Sequence, residues 1–318
     1  MGNAVIELQG LTRYFGATCA VRDVTLSVPS GCVIGFLGRN GSGKTTTLRM
    51  LLGLLTPTRG SATLLGYPSE DLPPEARARV GYLSEGHPVY GWMRISAVAA
   101  FQARFYPKWS QDVFRRVIDH FQLSPKAFAG KLSRGQRAGL ALALTLATEP
   151  DLLILDDPAL GLDPVARSLL LEAMIHFTRK EGRTILFSSH LLSDVERVAD
   201  RIAVLDSQVL RADCSLEAFR EHVRQFALYF PATEKTSSGT STALSPLPQV
   251  PGLLAATREE GHVLVTLVQR NGNALKALEA FGAERIEEVP LGLEDAFIRY
   301  LAKRGGTGSF LEVSGGES

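Results

Sequence analysis

The sequence predicts an α/β fold, a mostly parallel sheet covered by helices on both faces. Three observations carry this. Four short runs, Val33-Ile34-Gly35-Phe36-Leu37, Leu152-Leu153-Ile154-Leu155, Thr184-Ile185-Leu186-Phe187 and Ile202-Ala203-Val204-Leu205, are apolar without interruption, the pattern of strands buried on both faces. Helices alternate with these strands along the chain, the order of a parallel α/β sheet. The first thirty residues differ: Val5 to Leu8 and Val21 to Val28 alternate apolar and polar, which predicts an N-terminal antiparallel β subdomain ahead of the parallel core.

The elements follow in order. The strand Val33–Leu37 runs into a Gly-rich loop, and a helix is expected from Thr46 to Leu55. A helical insert occupies about 86–135. Within it Val113, Phe114, Val117, Ile118 and Phe121 share one helix face, with Ser110 as N-cap. An apolar helix from Arg137 to Thr148 precedes the second buried strand. Residues 231–251 carry four prolines and many Ser/Thr without apolar periodicity, and read as a linker or long loop. Beyond it come a strand (His262 to Val268), a helix (Asn273 to Phe281), a strand (Glu284 to Val289) and a helix (Leu293 to Ala302), a small α+β unit. The expected organisation is 1–230, the linker 231–251, an accessory domain over 252–304 and a flexible tail over 305–318.

With 318 residues, about two domains are expected at roughly 150 residues each. The chain is 45% apolar and 21% charged, which excludes a disordered or collagen-like chain. The net charge of +1 offers no global field for nucleic acid or anionic lipid. Cys19, Cys32 and Cys214 have no C-x-x-C spacing, so neither a zinc site nor a disulfide framework is implied. The most apolar stretch, Leu140 to Ala147, is about half of the ~20 residues needed to cross a bilayer. Met1 to Ile6 has no basic run typical of a secretion signal. A soluble, cytoplasmic chain is expected, one that another protein must bring to a membrane if it acts there.

Gly38-Arg39-Asn40-Gly41-Ser42-Gly43-Lys44-Thr45 matches the phosphate-binding loop G-x-x-x-x-G-K-[ST], between a predicted strand and a predicted helix. Glycines let successive N–H groups turn toward one anion, and the helix N-terminus adds its dipole. Lys44 would hold the β- and γ-phosphates, and the Thr45 hydroxyl would ligate Mg²⁺, with Thr46 beside it. The run Leu152–Leu155 ends at Asp156-Asp157, at the strand end where ligands bind in parallel sheets. Asp156 would hold Mg²⁺, directly or through water. These two motifs define a phosphate-loop NTPase core.

A third motif narrows the class. Leu132-Ser133-Arg134-Gly135-Gln136 stands before an apolar helix, and here the sequence resembles the ATP-binding-cassette (ABC) family, whose signature reads L-S-G-G-Q. The resemblance covers residues 4 to about 215. It implies that Ser133, Gly135 and Gln136 bind the γ-phosphate of ATP held by an opposite subunit, in a homodimer or a pairing with a related cassette. It implies further that Phe15, or the neighbouring Tyr14, stacks on adenine, that Glu85, where the family usually has Gln, contacts Mg²⁺ or the attacking water, that Asp163 in Gly161-Leu162-Asp163 lies on a loop crossing the dimer interface, and that His190 senses the γ-phosphate. Asp157 stands at the position of the family's catalytic Glu. One methylene shorter, it is expected to be a poorly placed base, giving slow turnover. Arg134 replaces the middle glycine of the signature.

The stretch Gly86-His87-Pro88-Val89-Tyr90-Gly91-Trp92-Met93 is aromatic and apolar for a loop, and is either a docking patch or the core of a small subdomain. The resemblance favours docking on a separate polytopic membrane permease. Gly292-Leu293-Glu294-Asp295-Ala296-Phe297 resembles the ending of exporter-type ATPases of drug and antibiotic efflux, with Leu293, Phe297, Ile298 and Leu301 expected on one helix face. The resulting expectation is the ATP-binding and ATP-hydrolysing subunit of an ABC exporter, peripheral on the inner face of the membrane. A soluble ABC ATPase of DNA or ribosome, or a slow-hydrolysing regulatory module, are the alternatives.

Overall fold

The computed structural model describes residues 4–179, 182–230, 252–259, 262–268, 276, 278–279, 283–302 and 311–312. The chain divides into two compact units, Met1–Asp213 and Cys214–Ser318. The first unit begins with the predicted antiparallel subdomain. β1 (Ala4–Phe15) and β2 (Thr18–Pro29) form a long hairpin, and β4 (Arg59–Leu64) and β5 (Tyr67–Pro68) complete a sheet of order β2-β1-β4-β5. Its buried face (Ile6, Leu8, Leu11, Val24, Leu26, Val28, Leu64) packs with Leu48, Met50 and Leu51 of α1 (Lys44–Leu51) and with Ile34, Phe36 and Ile154 of the central sheet. Each such fully buried side chain contributes about 1.5–3 kcal/mol of transfer free energy.

The central sheet contains β3 (Val33–Leu37), β6 (Val80–Leu83), β7 (Leu152–Leu155), β8 (Thr184–Ser189), β9 (Arg201–Asp206) and β10 (Val209–Ser215), in the order β10-β9-β3-β8-β7-β6. β9, β3, β8, β7 and β6 run parallel. All four predicted apolar runs are strands of this sheet, and every residue of β3, β7 and β8 is buried. Parallel pairing puts the C-terminal ends of β3, β8, β7 and β6 along one edge. The phosphate loop, His190, Asp156-Asp157 and Glu85 follow those four ends and are thereby collected.

Two helix boundaries differ from expectation. α1 stops at Leu51 rather than Leu55, because Gly53 adopts φ +68 and its N–H bonds back to Met50. The helix expected from Arg137 starts at Arg134: Ser133 accepts from the Gln136 N–H while the Gln136 side chain accepts from the Ser133 N–H, a closed capping box.

α2 (Pro74–Arg77) is one short turn before β6. The insert comprises α3 (Ile95–Ala103), α4 (Gln111–His120) and α5 (Arg134–Leu146). Ser110 caps α4 as predicted, accepting from Val113 N at 3.3 Å. Gly139 of α5 lies under Phe121, so close that a Cβ would fall 2.3 Å from the ring. The loop around Trp92 is tied to the segment before the signature: Gly130 N donates to Gly91 O and Ala129 N to Met93 O, both at 2.9 Å, and Arg94 and Phe128 form a bridge. α6 (Pro164–Thr178) and α7 (Leu192–Val198) complete the unit.

The second unit opens with α8 (Leu216–His222), followed by β11 (Val223–Tyr229), β12 (Leu253–Glu259), β13 (His262–Val268), β14 (Arg285–Val289) and α9 (Leu293–Ala302). Its antiparallel sheet has the order β12-β13-β11-β14. The expected boundary at 230 is corrected: the units part at Asp213, because β11 is a central strand of the second sheet, with Phe226 and Leu228 in its core. The expected face of the last helix is also corrected. Leu293, Ala296, Phe297 and Tyr300 are buried at i, i+3, i+4 and i+7, whereas Ile298 is 57% exposed. The linker 231–251 and most of the helix expected over 273–281 lie outside the described residues, as does the tail apart from 311–312.

Candidate nucleotide-binding site

The loop after β3 is shaped by glycine. Gly41 and Gly43 have φ of +78 and +106, open to residues lacking a Cβ. A Cβ on Gly38 would fall 2.3 Å from the Leu205 carbonyl oxygen. Lys44, 7% exposed, donates to the carbonyls of Gly38 at 2.7 Å and Arg39 at 3.2 Å. Burial lowers its pKa, while Asp157, Asp156 and Glu85 act in the opposite sense. Ser42 Oγ is buried without a hydrogen-bond partner. Buried polar atoms are rarely left so, and an anion seated in the loop would satisfy it.

A continuous polar chain leads away from α1. Thr45 Oγ1 donates to Asp156 Oδ1 at 3.0 Å, and Ser188 Oγ donates to the same oxygen at 2.9 Å. Ser188 Oγ in turn accepts from the Asp157 N–H at 2.7 Å. His190 Nδ1 lies 2.9 Å from Asp157 Oδ2 and 3.2 Å from Oδ1. Asp157 has φ +44, uncommon for a residue with a Cβ and frequent at functional sites. The structure therefore brings Lys44, Thr45, Asp156, Asp157 and His190 together. Ser188, which the sequence reading passed over, joins the two carboxylate positions. Its signal was a polar pair, Ser188-Ser189, ending an otherwise apolar strand. Glu85 is exposed, beyond β6 and within electrostatic reach of Lys44.

The signature residues form a second cluster. Gly135 packs so tightly on α6 that a Cβ would lie 2.5 Å from Ala166 Cβ, and a Cβ on Gly161 would fall 1.9 Å from Arg134 Nη1. Asp163 Oδ1 caps α6, accepting from Val165 N at 3.0 Å and Ala166 N at 2.9 Å. Among the described residues, the side-chain hydrogen bonds of Ser133 and Gln136 are those of their mutual cap, and none runs from either to the phosphate loop. Ser133 is exposed at the N-terminus of α5. Phe15 is 49% exposed with the Arg13 guanidinium 4.7 Å over its ring.

The Gly86–Met93 stretch is neither wholly core nor wholly surface. Trp92 is 77% and Tyr90 53% exposed, and Tyr90, Phe101 and Phe105 form an edge-on aromatic row. His87 is buried instead. Burial lowers its pKa; a hydrogen bond to the Pro158 backbone opposes this, and Arg134 and Arg137 reinforce it. A further ion pair involves the buried Asp194 and the half-buried Arg167, with Arg167 also donating to Ser193 Oγ at 2.7 Å.

A strand, a phosphate loop and paired acidic residues at the C-terminal edge of a parallel sheet define a nucleotide-binding α/β protein. The family described as "ABC transporter" matches residues 21–160, and one described as "AAA domain, putative AbiEii toxin, Type IV TA system" matches 126–196. The chain is similar to the Nod factor export ATP-binding protein I of Cupriavidus pinatubonensis, 33% identical over 94% of this chain and 91% of that protein. It is 31% identical to the bacitracin transport ATP-binding protein BcrA of Bacillus licheniformis, over 70% of this chain and 75% of that one. A solved ATP-binding subunit of an ABC transporter superposes with a TM-score of 0.62 at 30% identity, over 68% of this chain and 92% of that one. A dimeric bacterial ABC transporter cassette shares the fold, with a TM-score of 0.60 at 20% identity over 66% of this chain and 98% of its own. The chain belongs to the ATP-binding proteins of ABC transporters, and it binds ATP. No helix among the described residues is long and apolar enough to cross a membrane.

Proposed function

We propose that this chain is the ATP-hydrolysing motor of an exporter: two copies close on two MgATP and reopen after hydrolysis, driving a separate membrane permease from its cytoplasmic side. The polar chain Thr45–Asp156–Ser188–Asp157–His190, beside Lys44, carries the reading. The export role rests on the relatives named for Nod factor export and bacitracin transport.

The donor set suits Mg²⁺. Among the described residues no group of three or more His, Cys, Asp or Glu side chains is placed to hold a metal ion by itself, whereas a hydroxyl and a carboxylate, Thr45 and Asp156, share one hydrogen bond. Mg²⁺ is commonly held by one or two protein oxygens together with substrate phosphates. When bound, it would neutralise charge developing on the transferred phosphoryl group. Lys44 would exchange its loop carbonyls for phosphate oxygens, and Phe15 would stack on adenine. Asp157 would take the proton of the attacking water, with His190 holding its carboxylate. Asp157 is one methylene shorter than the family's Glu, so we expect slow turnover. Ser133 and Gly135 would reach the γ-phosphate bound by the second copy, and Asp163 would lie at that interface. The Tyr90–Trp92 surface would dock on the permease.

Light scattering on the hydrolysis-impaired variant Asp157→Asn tests this. Dimers should form in saturating MgATP and dissociate on its removal; a variant that stays monomeric with or without its permease refutes the clamp.

A further inference from the structure

A cavity of about 590 Å³ opens where α4, the end of α5 and the end of α6 come together, with Arg183 ahead of β8 also lining it. None of its lining residues belongs to the nucleotide site. The volume is that of a pocket for a small organic molecule.

Its floor is apolar. Val113 and Val117 of α4, Leu146 of α5, and Ala173 and Phe177 of α6 line it. The sequence places both valines on one helix face with Phe114 and Ile118, yet Phe114 and Ile118 are buried while the valines are half-buried and front the cavity. An apolar group laid against them would take further hydrocarbon surface out of water, which is favourable.

The rest of the lining is basic. Val113, Arg116, Val117 and His120 follow the i, i+3, i+4, i+7 spacing of one helix face. His176, Arg179 and Arg183 join them from the end of α6 and the start of β8. Two of these side chains are engaged. Arg183 pairs with Glu149, the acidic member of the lining, and its guanidinium lies 4.5 Å over the Phe177 ring. His120 Nε2 lies 3.0 Å from the Leu169 carbonyl oxygen and 4.0 Å from Glu172 Oε2. Arg116 and Arg179 differ: among the described residues neither guanidinium has a hydrogen bond or ion pair. Two forks of N–H donors, which match phosphate and carboxylate oxygens, thus border an apolar floor.

An anion alone would leave that floor exposed to water, and a hydrocarbon alone would leave both arginines unpaired. We propose that the cavity binds an anionic amphiphile, with a phosphate or carboxylate head on Arg116 and Arg179 and an apolar body against Val113, Val117 and Phe177. A free acid and a membrane lipid share this chemistry. The proposal does not rest on ATP-driven closure.

The probe is decyl phosphate below its micellisation concentration, titrated calorimetrically into the full chain. Wild type should bind it about tenfold or more tightly than inorganic phosphate or decanol, since each lacks one half of the interaction. Arg116→Gln with Arg179→Gln should weaken binding about tenfold or more, as should Val117→Trp, which fills the floor. Both arginines are exposed, so their double variant carries the test if the tryptophan variant does not fold. Arg59→Gln with Arg115→Gln removes the same charge outside the cavity and should change binding less than about twofold. ATP affinity should be unchanged throughout. Phosphatidylglycerol vesicles separate the sources. Sedimentation of wild type but not of the Arg116/Arg179 variant assigns the head to a lipid; any other pattern assigns it to a free amphiphile. No binding of decyl phosphate by wild type overturns the proposal. So does inorganic phosphate binding as tightly, or equal weakening by the two arginine pairs.

Discussion

One imidazole N–H of His190 bridges both oxygens of the Asp157 carboxylate, at 2.9 and 3.2 Å. The carboxylate is therefore oriented by its neighbour as well as by its own short stem. Asp157→Asn should lower single-turnover ATP hydrolysis by ~10²–10⁴-fold, the range of general-base assistance. His190→Ala should lose a comparable factor, with the double variant little worse, because the two act as a unit. Asp157→Glu should raise the rate. No gain with Glu and no loss with Asn would mean that Asp157 is not the base.

Thr45 and Asp156 share a 3.0 Å hydrogen bond. Thr45→Val should raise the Mg²⁺ concentration that half-saturates hydrolysis by roughly tenfold or more, in line with the loss of a ligating or ligand-orienting group. EDTA should abolish hydrolysis by both proteins. Mg²⁺ titrations that superimpose for the two would remove Thr45 from the metal site.

Asp194 is buried and its carboxyl sits above the ordinary range because burial outweighs the Arg167 contact. Arg167→Met strands that charge. At pH 7 the cost should be about 3 kcal/mol, the low end for a broken buried pair because Arg167 is partly exposed. The sign with pH follows. Without Arg167, the native carboxyl rises further above its unfolded value, so on acidification it takes up a proton before the unfolded chain does. The stability gap to wild type, measured in urea, should therefore narrow from pH 7 to pH 5. A widening gap contradicts this.

Tyr90 and Trp92 are exposed, so replacing both with alanine should leave melting and ATP affinity unchanged while reducing co-purification with the membrane partner severalfold. Equal loss of ATP binding would mean that these rings support the site instead.

Motifs were legible where chemistry is local to the chain. The phosphate loop, Asp156-Asp157 and the Ser110 cap could be read from spacing, because each is a strand end or helix start with a fixed residue requirement. What could not be read is tertiary. Nothing in the sequence said that Ser188 would face Asp156 across two paired strands, or that Asp163 would have one oxygen committed to a helix cap. The boundary error has a similar cause. A Pro-rich stretch is visible as a composition change, but β11 belongs to strands that follow it in sequence.

The small ladder between Gly91–Arg94 and Phe128–Gly130 has a mechanical consequence. It fastens the exposed tryptophan to the stretch that ends three residues before Ser133, and the Gly139–Phe121 contact stiffens the helix behind it. A push delivered at Trp92 has little slack to absorb it before reaching the serine tip. Cargo-side events and triphosphate capture would then be two readings of a single lever.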